Sequence, residues 1–193
     1  MSLVLSTRNR HKLREFSRLL DPAGISLEPL PDDLELPPED GETFAENALG
    51  KARTAARETG RVAIADDSGI EASALAGAPG VRSARYAGEG ASDEENLSKL
   101  IREAPAGSGL RYVCALAYVD PTTGFERMFY GECRGRMADP PRGSGGFGYD
   151  PAFVPDDLPE DDRRTMAELS DAEKDHISHR GRALRALVEW LRT

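Results

Sequence analysis

Ala65-Asp66-Asp67-Ser68-Gly69 sets two carboxylates side by side after the apolar run Val62-Ala63-Ile64-Ala65. A carboxylate pair there is costly unless it meets cations or a metal. Neighbouring side chains on an extended chain alternate in direction, so only one of the two aspartates need face a ligand. Oxygen ligands of this kind suit Mg2+, which keeps waters and substrate phosphates in its shell. The segment Ser6-Thr7-Arg8-Asn9-Arg10-His11-Lys12 lies between a short apolar strand and an amphipathic run. A strand-to-helix loop directs backbone N–H groups outward at a helix N-terminus, a place for an anion such as phosphate. Thr7 and Asn9 add neutral donors, and Lys12 adds charge.

Gly143-Ser144-Gly145-Gly146-Phe147-Gly148 matches the dinucleotide-binding pattern of glycines, but that pattern requires a following helix. Tyr149-Asp150-Pro151 follows instead, and the proline turns Asp150 away from helical geometry. A glycine-rich loop with one aromatic, Phe147, suits close approach to a flat ring and stacking on it. No G-x-x-x-x-G-K-[ST] segment is present, which excludes a P-loop ATPase. Lys174-Asp175-His176-Ile177-Ser178-His179-Arg180 gathers two histidines with Lys and Arg. No Cys or third His lies nearby, which argues against zinc. The Arg180 fork suits a base edge or a phosphate.

Alternating elements must position these groups. Leu3-Val4-Leu5 reads as a buried strand, and Leu13, Phe16, Leu19 and Leu20 predict an amphipathic helix over roughly residues 11–20. Residues 26–42 are rich in Pro and acid and read as irregular around one short strand. Thr43 with Glu46, Ser92 with Glu95, and Ser170 with Glu173 are capping boxes that open helices. Val62–Ala65 predicts a central strand with Asp66-Asp67-Ser68-Gly69 at its C-terminal end. Tyr112–Val119 and Phe125–Gly131 predict a hairpin about residues 120–124, and Leu184, Leu187, Val188 and Leu191 a final helix. Helices and strands alternate early and a hairpin comes later, which predicts an α/β protein, a mixed sheet flanked by helices.

The 193 residues are 39% hydrophobic and 31% charged, with a net charge of −9. This composition fits one folded domain over residues 1–193 and excludes a fully disordered chain. Two cysteines, Cys114 and Cys133, are too few for a disulfide framework, and no apolar run or leader-like N-terminus points to a membrane. A cytoplasmic protein is expected, with no membrane partner. The acidic balance argues against general nucleic-acid binding. The acidity is local: residues 28–46 hold eight acids and no Lys or Arg, and residues 156–175 are net −6, so the remainder is +5. Arg fills 21 of 25 cationic positions, which makes the four lysines, Lys12, Lys51, Lys99 and Lys174, notable.

The motifs, in this order and spacing, resemble the inosine triphosphate pyrophosphatase family of non-canonical purine nucleoside triphosphate pyrophosphatases. The matching stretches are Ser6–Lys12, Glu39–Ala48, Ile64–Gly69, Gly77–Tyr86, Gly145–Pro151 and Ile177–Arg180, together spanning nearly the whole chain. The resemblance implies a long mixed β-sheet flanked by helices, two lobes of one domain with a central active-site cleft, and a homodimer. It also implies Mg2+-dependent hydrolysis of ITP, dITP and XTP between the α- and β-phosphates, giving the monophosphate and pyrophosphate. Carried over by position, Asp67 looks like the proton acceptor and a metal neighbour. Glu39 looks like the second metal-side carboxylate, with Asp40 and Glu42 as alternatives, and Asp66 joins the metal side. Thr7, Arg8, Asn9, Arg10, His11, Lys12, Lys51 and Ser68 look like triphosphate contacts. Phe147 looks like the stacking platform beside Gly148 and Tyr149, with Asp150, Lys174, His179 and Arg180 on the base. The acidic segment 156–164 is long, and Arg164 stands near where many members carry Lys.

This chemistry matches the residue types. Attack at the α-phosphorus needs an activated water, a metal on the phosphate oxygens and cations for the leaving pyrophosphate. Donors from Lys174 and Arg180 suit a 6-oxo purine and would be left unpaired by adenine. Guanine shares the 6-oxo group, so discrimination against GTP must act at the 2-position. A pyrophosphatase for other modified nucleotides, and a nucleotide-binding regulator without catalysis, are the alternatives. The adjacent acids argue against the second, since a pure binder gains nothing from them.

Overall fold

A computed structural model describes residues 1–193. Its elements in chain order are β1 (Ser2–Leu5), α1 (Arg10–Leu20), β2 (Ser26–Pro29), α2 (Phe44–Thr59), β3 (Ala63–Ala72), α3 (Asp93–Glu103), β4 (Gly109–Asp120), β5 (Phe125–Met137), β6 (Phe153–Pro155), α4 (Asp171–Ile177) and α5 (His179–Leu191). The six strands form one sheet in the order β2-β1-β3-β4-β5-β6. β1 runs parallel to β2, with Ser2 opposite Ser26, and parallel to β3, with Leu5 opposite Ile64. β5 and β6 are antiparallel, with Arg136 opposite Val154. The α/β class and the mixed sheet expected from the sequence are therefore present.

The chain divides into two compact units, each discontinuous in sequence. The first comprises Met1–Asp67, Cys114–Gly131 and Arg180–Thr193, and the second Ser68–Val113 and Glu132–His179. In the first unit, Phe16 and Leu20 of α1 and Leu184 and Leu187 of α5 pack with Leu3, Leu5 and Ile64. Ala48, Ala52, Ala55 and Ala56 of α2 pack with Val4, Ala63, Ala65 and Ala115. Small side chains along α2 let its backbone lie close to the strands. The core of the second unit joins Ile70 and Ala72 to Leu100, Tyr112, Phe153, Met166 and Ile177.

The capping signals act as expected. Thr43 accepts from the Glu46 backbone and the Glu46 side chain reciprocates, while Gly60, at φ 66°, ends α2. Ser92 with Glu95 and Ser170 with Glu173 do the same for α3 and α4. Ser178 is extended (φ −65°, ψ 152°) and separates α4 from α5.

One boundary differs in a way that matters. β3 does not stop before the acids but runs through Asp66-Asp67-Ser68-Gly69 to Ala72. The strand continues because Ile70 and Ala72 are fully buried beyond the polar stretch, and because cations and an amide meet the two carboxylates in mid-strand. Alternation along β3 then sends Asp66 to the α1 and α5 face, with Ile64, and Asp67 to the α2 face, with Ala63 and Ala65.

Candidate active site

On the α2 face of the first unit, Asn47 and Lys51 are four residues apart on α2 and therefore share one side of the helix. Both are buried. The Asn47 amide donates to Asp67 Oδ2 at 2.9 Å, and Asn47 Oδ1 accepts from the Gly41 N–H at 2.8 Å. A side chain at Gly41 has no room, since its Cβ would lie 2.7 Å from Asn47 Oδ1. Lys51 Nζ donates to Glu39 Oε1 and lies 3.9 Å from Asp67 Oδ1. Ser6 Oγ donates to the Lys51 carbonyl at 3.1 Å. Glu39 is the more accessible carboxylate, 35% exposed against 8% for Asp67.

The electrostatics separate these groups. Burial pushes the Asp67 carboxyl above the usual aspartate range; Lys51 pulls it down and Glu39 pushes it up, with a net rise. Burial also opposes the Glu39 charge, but the Lys51 ammonium outweighs it and holds that carboxyl below its usual range. Lys51, despite burial, is held protonated by Asp66, Asp67 and Glu39 together. Two carboxylates around one ammonium are thus driven apart, one a readier proton acceptor and the other firmly ionised.

Asp66, on the opposite face of β3, lies in a separate buried network. Lys12 Nζ is 3.0 Å from Asp66 Oδ1, and Arg180 donates to Asp66 Oδ2 at 3.3–3.4 Å and to Glu15 Oε2. Burial works against the Asp66 charge, yet Lys12, Arg180 and Lys51 hold its carboxyl far below the usual range. Asp66 therefore does not join Glu39 and Asp67 as an oxygen donor, as the sequence led us to expect; strand alternation puts it on the other face. Arg180, only 3% exposed, likewise presents its fork to Glu15 and Asp66 rather than outward. Glu15 was not anticipated, although its placement three residues after Lys12 on α1 is a legible signal. Cys114 lies in the same surroundings, where burial pushes its thiol up to about 12, so it is no nucleophile at neutral pH.

The loop before α1 joins β1 to the helix N-terminus, as expected, and is held by local hydrogen bonds. Asn9 is its N-cap and accepts from the His11 and Lys12 N–H groups at 2.9 and 3.2 Å, while Thr7 Oγ1 accepts from the Asn9 N–H. The exposed Arg8 guanidinium reaches the carbonyls of Pro31 (2.6 Å) and Leu34 (2.9 Å) and braces the acidic segment. Arg10 and His11 are exposed, with His11 Nδ1 3.3 Å from Arg14. Lys12 is half-buried beside Asp66.

In the second unit, Asp150 organises the glycine loop. Its Oδ2 accepts from Lys174 Nζ at 2.7 Å and from the Phe147 N–H at 3.0 Å, and its Oδ1 from the Tyr112 hydroxyl at 3.1 Å. Gly146 has φ 68°, and a Cβ there would lie 2.0 Å from Asp150 Oδ2, so this position admits glycine alone. Lys174 Nζ lies 5.1 Å from the centre of the half-buried Phe147 ring. His179 stacks on Tyr112, with ring centres 4.6 Å apart. Gly148 N–H donates to Asp93 and the buried Tyr149 hydroxyl donates to Ser83 O at 2.6 Å, so both hold the loop. Ser68 is half-buried on β3. Arg164 bonds Asp162 and Glu173, joining the acidic segment to the start of α4. Tyr112 was the residue missed here; in sequence it reads as one more apolar strand position.

Fold and site together define an α/β protein with a carboxylate–lysine cluster on a central strand and an aromatic–lysine cluster on a glycine loop. Residues 3–190 match the Ham1 family, and the chain belongs to that family. A dITP/XTP pyrophosphatase of Frankia alni is 49% identical, covering 100% of this chain and 98% of that one. One of Bacillus licheniformis is 45% identical over 98% and 97% of the two chains. Among solved structures, a HAM1 protein from Coxiella burnetii superposes with a TM-score of 0.85 at 40% identity, over 99% of this chain and 98% of that one. The Staphylococcus aureus Ham1 protein does so at 0.82 and 35%, over 100% and 98%. No helix is long and apolar enough to cross a membrane.

Proposed function

We propose that this chain hydrolyses ITP, dITP and XTP between the α- and β-phosphates, releasing the nucleoside monophosphate and pyrophosphate, with Mg2+ as cofactor. The observation that carries the reading is the Glu39–Lys51–Asp67 cluster, in which one shared ammonium faces two carboxylates of opposite proton affinity. The names of the relatives support the substrate class. The donor set fits Mg2+, which takes one or two protein carboxylates and completes its shell with water and phosphate oxygens. Glu39 and Asp67 would hold it. When bound, the ion supplies charge on the phosphate oxygens and lowers the cost of activating water.

The chain's own residues do the rest. Asp67 takes a proton from the attacking water, its raised proton affinity bringing it closer to that task at neutral pH. Asn47 fixes the Asp67 carboxylate by its hydrogen bond. Lys51 and Lys12 place point charges against the negative charge that develops on the phosphates. In the second unit, Phe147 offers a ring for stacking, and Lys174, an ammonium with three donors, stands beside that ring to meet a 6-oxo group. Homodimer formation and a cytoplasmic location are proposed on the same family resemblance, to be read by light scattering and cell fractionation.

The direct test is pyrophosphate release from ITP, dITP, XTP, GTP and ATP with and without Mg2+. The expected result is turnover of the first three, far slower turnover of the last two, and loss on chelation that added Mg2+ restores. Equal turnover of all five would overturn the specificity, and full activity in chelator the metal requirement.

A second test reads the proton acceptor. Asp67 must be ionised to take the proton, so kcat/KM should fall as acid protonates it. Burial raises its proton affinity in the metal-free chain and a bound Mg2+ would lower it, so the limb is compared between parent and variant at one fixed Mg2+ concentration. Asn47→Ala removes a hydrogen bond that favours the ionised form. The acid limb should then move to still higher pH, with the alkaline side unchanged. A limb that stays in place would show that Asp67 is not the titrating base.

A further inference from the structure

Tyr112 stands where two elements of the second unit meet. β4 alternation buries it with Leu110 in the core of that unit, at 7% exposure. Its ring lies parallel to His179 (4.6 Å, 6°) and tilted against Phe153 (4.7 Å, 39°). Its hydroxyl donates to Asp150 Oδ1 at 3.1 Å, while Asp150 Oδ2 holds the Phe147 N–H and Lys174 Nζ. One side chain thus joins His179 to the carboxylate that sets both Phe147 and Lys174. Packing alone would be met by phenylalanine. The hydroxyl is a polar group brought into an apolar core, a cost that its hydrogen bond to a buried carboxylate offsets. Asp150, 3% exposed, holds the loop N–H and the ammonium from beneath.

We propose that Tyr112 is a positioning residue for base recognition: its hydroxyl, through Asp150, fixes the Phe147 loop and the Lys174 ammonium, and thereby the selectivity for 6-oxo purines. It touches no substrate. This inference rests on the assignment of Phe147 and Lys174 to the base under the proposed function. Without the hydroxyl, Asp150 has one donor fewer and its carboxylate gains freedom to turn. The loop then loses its single geometry, and the loss falls on binding rather than on the reaction at the α-phosphorus.

Tyr112→Phe keeps the ring, its stack on His179 and the core volume. The expected result is a KM for ITP raised about tenfold, with kcat within about twofold, the loss of a hydrogen bond to a charged group. ITP over ATP discrimination should fall with it, since adenine lacks the 6-oxo group, and the Phe147 amide should exchange hydrogen faster by mass spectrometry or NMR. A merely structural role would lower the melting temperature and leave KM and selectivity as they were. Unchanged KM together with unchanged Phe147 exchange overturns the proposal. A wild-type enzyme that releases no pyrophosphate from any purine triphosphate overturns the proposed activity instead, and the exchange measurement still decides whether Tyr112 fixes the loop.

Discussion

Asp67→Asn is expected to lower kcat for pyrophosphate release by about 10³-fold, the middle of the range for a general base, without loss of fold. The amide matches the carboxylate in shape, and its oxygen can still accept from Asn47, which donates to Asp67 Oδ2 in the parent. The effect on stability has a definite sign. Burial raises the folded-state pKa of Asp67 above its unfolded value, so ionising it costs stability, and this cost grows as pH rises through the ordinary carboxylate range. An asparagine never bears it. The variant should therefore melt at the same temperature as the parent or slightly higher at pH 7, and the two should converge in acid, where Asp67 is protonated. Circular dichroism melts beside a pyrophosphate assay read both halves. Near-normal turnover would remove Asp67 from the chemistry, and a large drop in melting temperature would mean that the carboxylate supports the fold.

The largest stability effect is expected at Arg180. It is fully enclosed, and its guanidinium faces both Glu15 and Asp66. Arg180→Met fills much of the volume but leaves two carboxylates buried, with Lys12 still beside Asp66. Breaking a buried ion pair by removing one partner costs about 3–5 kcal/mol, and urea unfolding at pH 7 should read a loss of that order. Here the pH sign is opposite to that of Asp67. Asp66 is held below its usual range despite burial, chiefly by Lys12 and Arg180. Its contribution is present above the unfolded value and is lost as pH falls through the folded one. The gap between parent and variant should narrow below about pH 4, where an unfolded aspartate takes up its proton. Adding Glu15→Gln to Arg180→Met should cost less than the sum of the two single changes, because one partner's loss already strands the other. Strict additivity would mean that the pair is not coupled.

These two outcomes separate neighbours in sequence that do different work. Nothing in the dipeptide Asp66-Asp67 says which acid is which. The distinction follows from alternation on β3 once α2 is known to lie on one face and α1 with α5 on the other. The sequence reading ended the strand before the acids because charged residues in an apolar run look like a terminus. That rule fails where cations brought from elsewhere in the chain meet the charges. Lys12 and Arg180 are 168 residues apart in number and close in space only after folding, and Asp66 needs both.

The glycine loop shows the converse. Its aromatic and its lack of a following helix were legible, because proline and glycine act locally on backbone angles. The service of Asp150 beneath the loop was not, since Pro151 says only that the backbone turns. The family resemblance makes Asn9 and Arg8 triphosphate contacts, and the sequence does not show what else they hold. Local hydrogen bonding takes Asn9 as a cap, and reach across to residues 31–34 takes Arg8 as a brace.

By itself, the sequence determined what depends on near neighbours: the capped helices, the apolar strands, the alternating order that makes an α/β sheet, and the family membership carried by ordered motifs. Helical and extended periods are local properties, so they can be read from spacing. Only the tertiary structure decided which charge meets which. It set Glu39 and Asp67 on one ammonium, closed Glu15, Arg180, Asp66 and Lys12 into another network, and placed Tyr112 under the loop. The reason is physical: the proton affinity of a buried carboxylate is set by desolvation and by charges within a few ångströms, and both are properties of packing rather than of order along the chain.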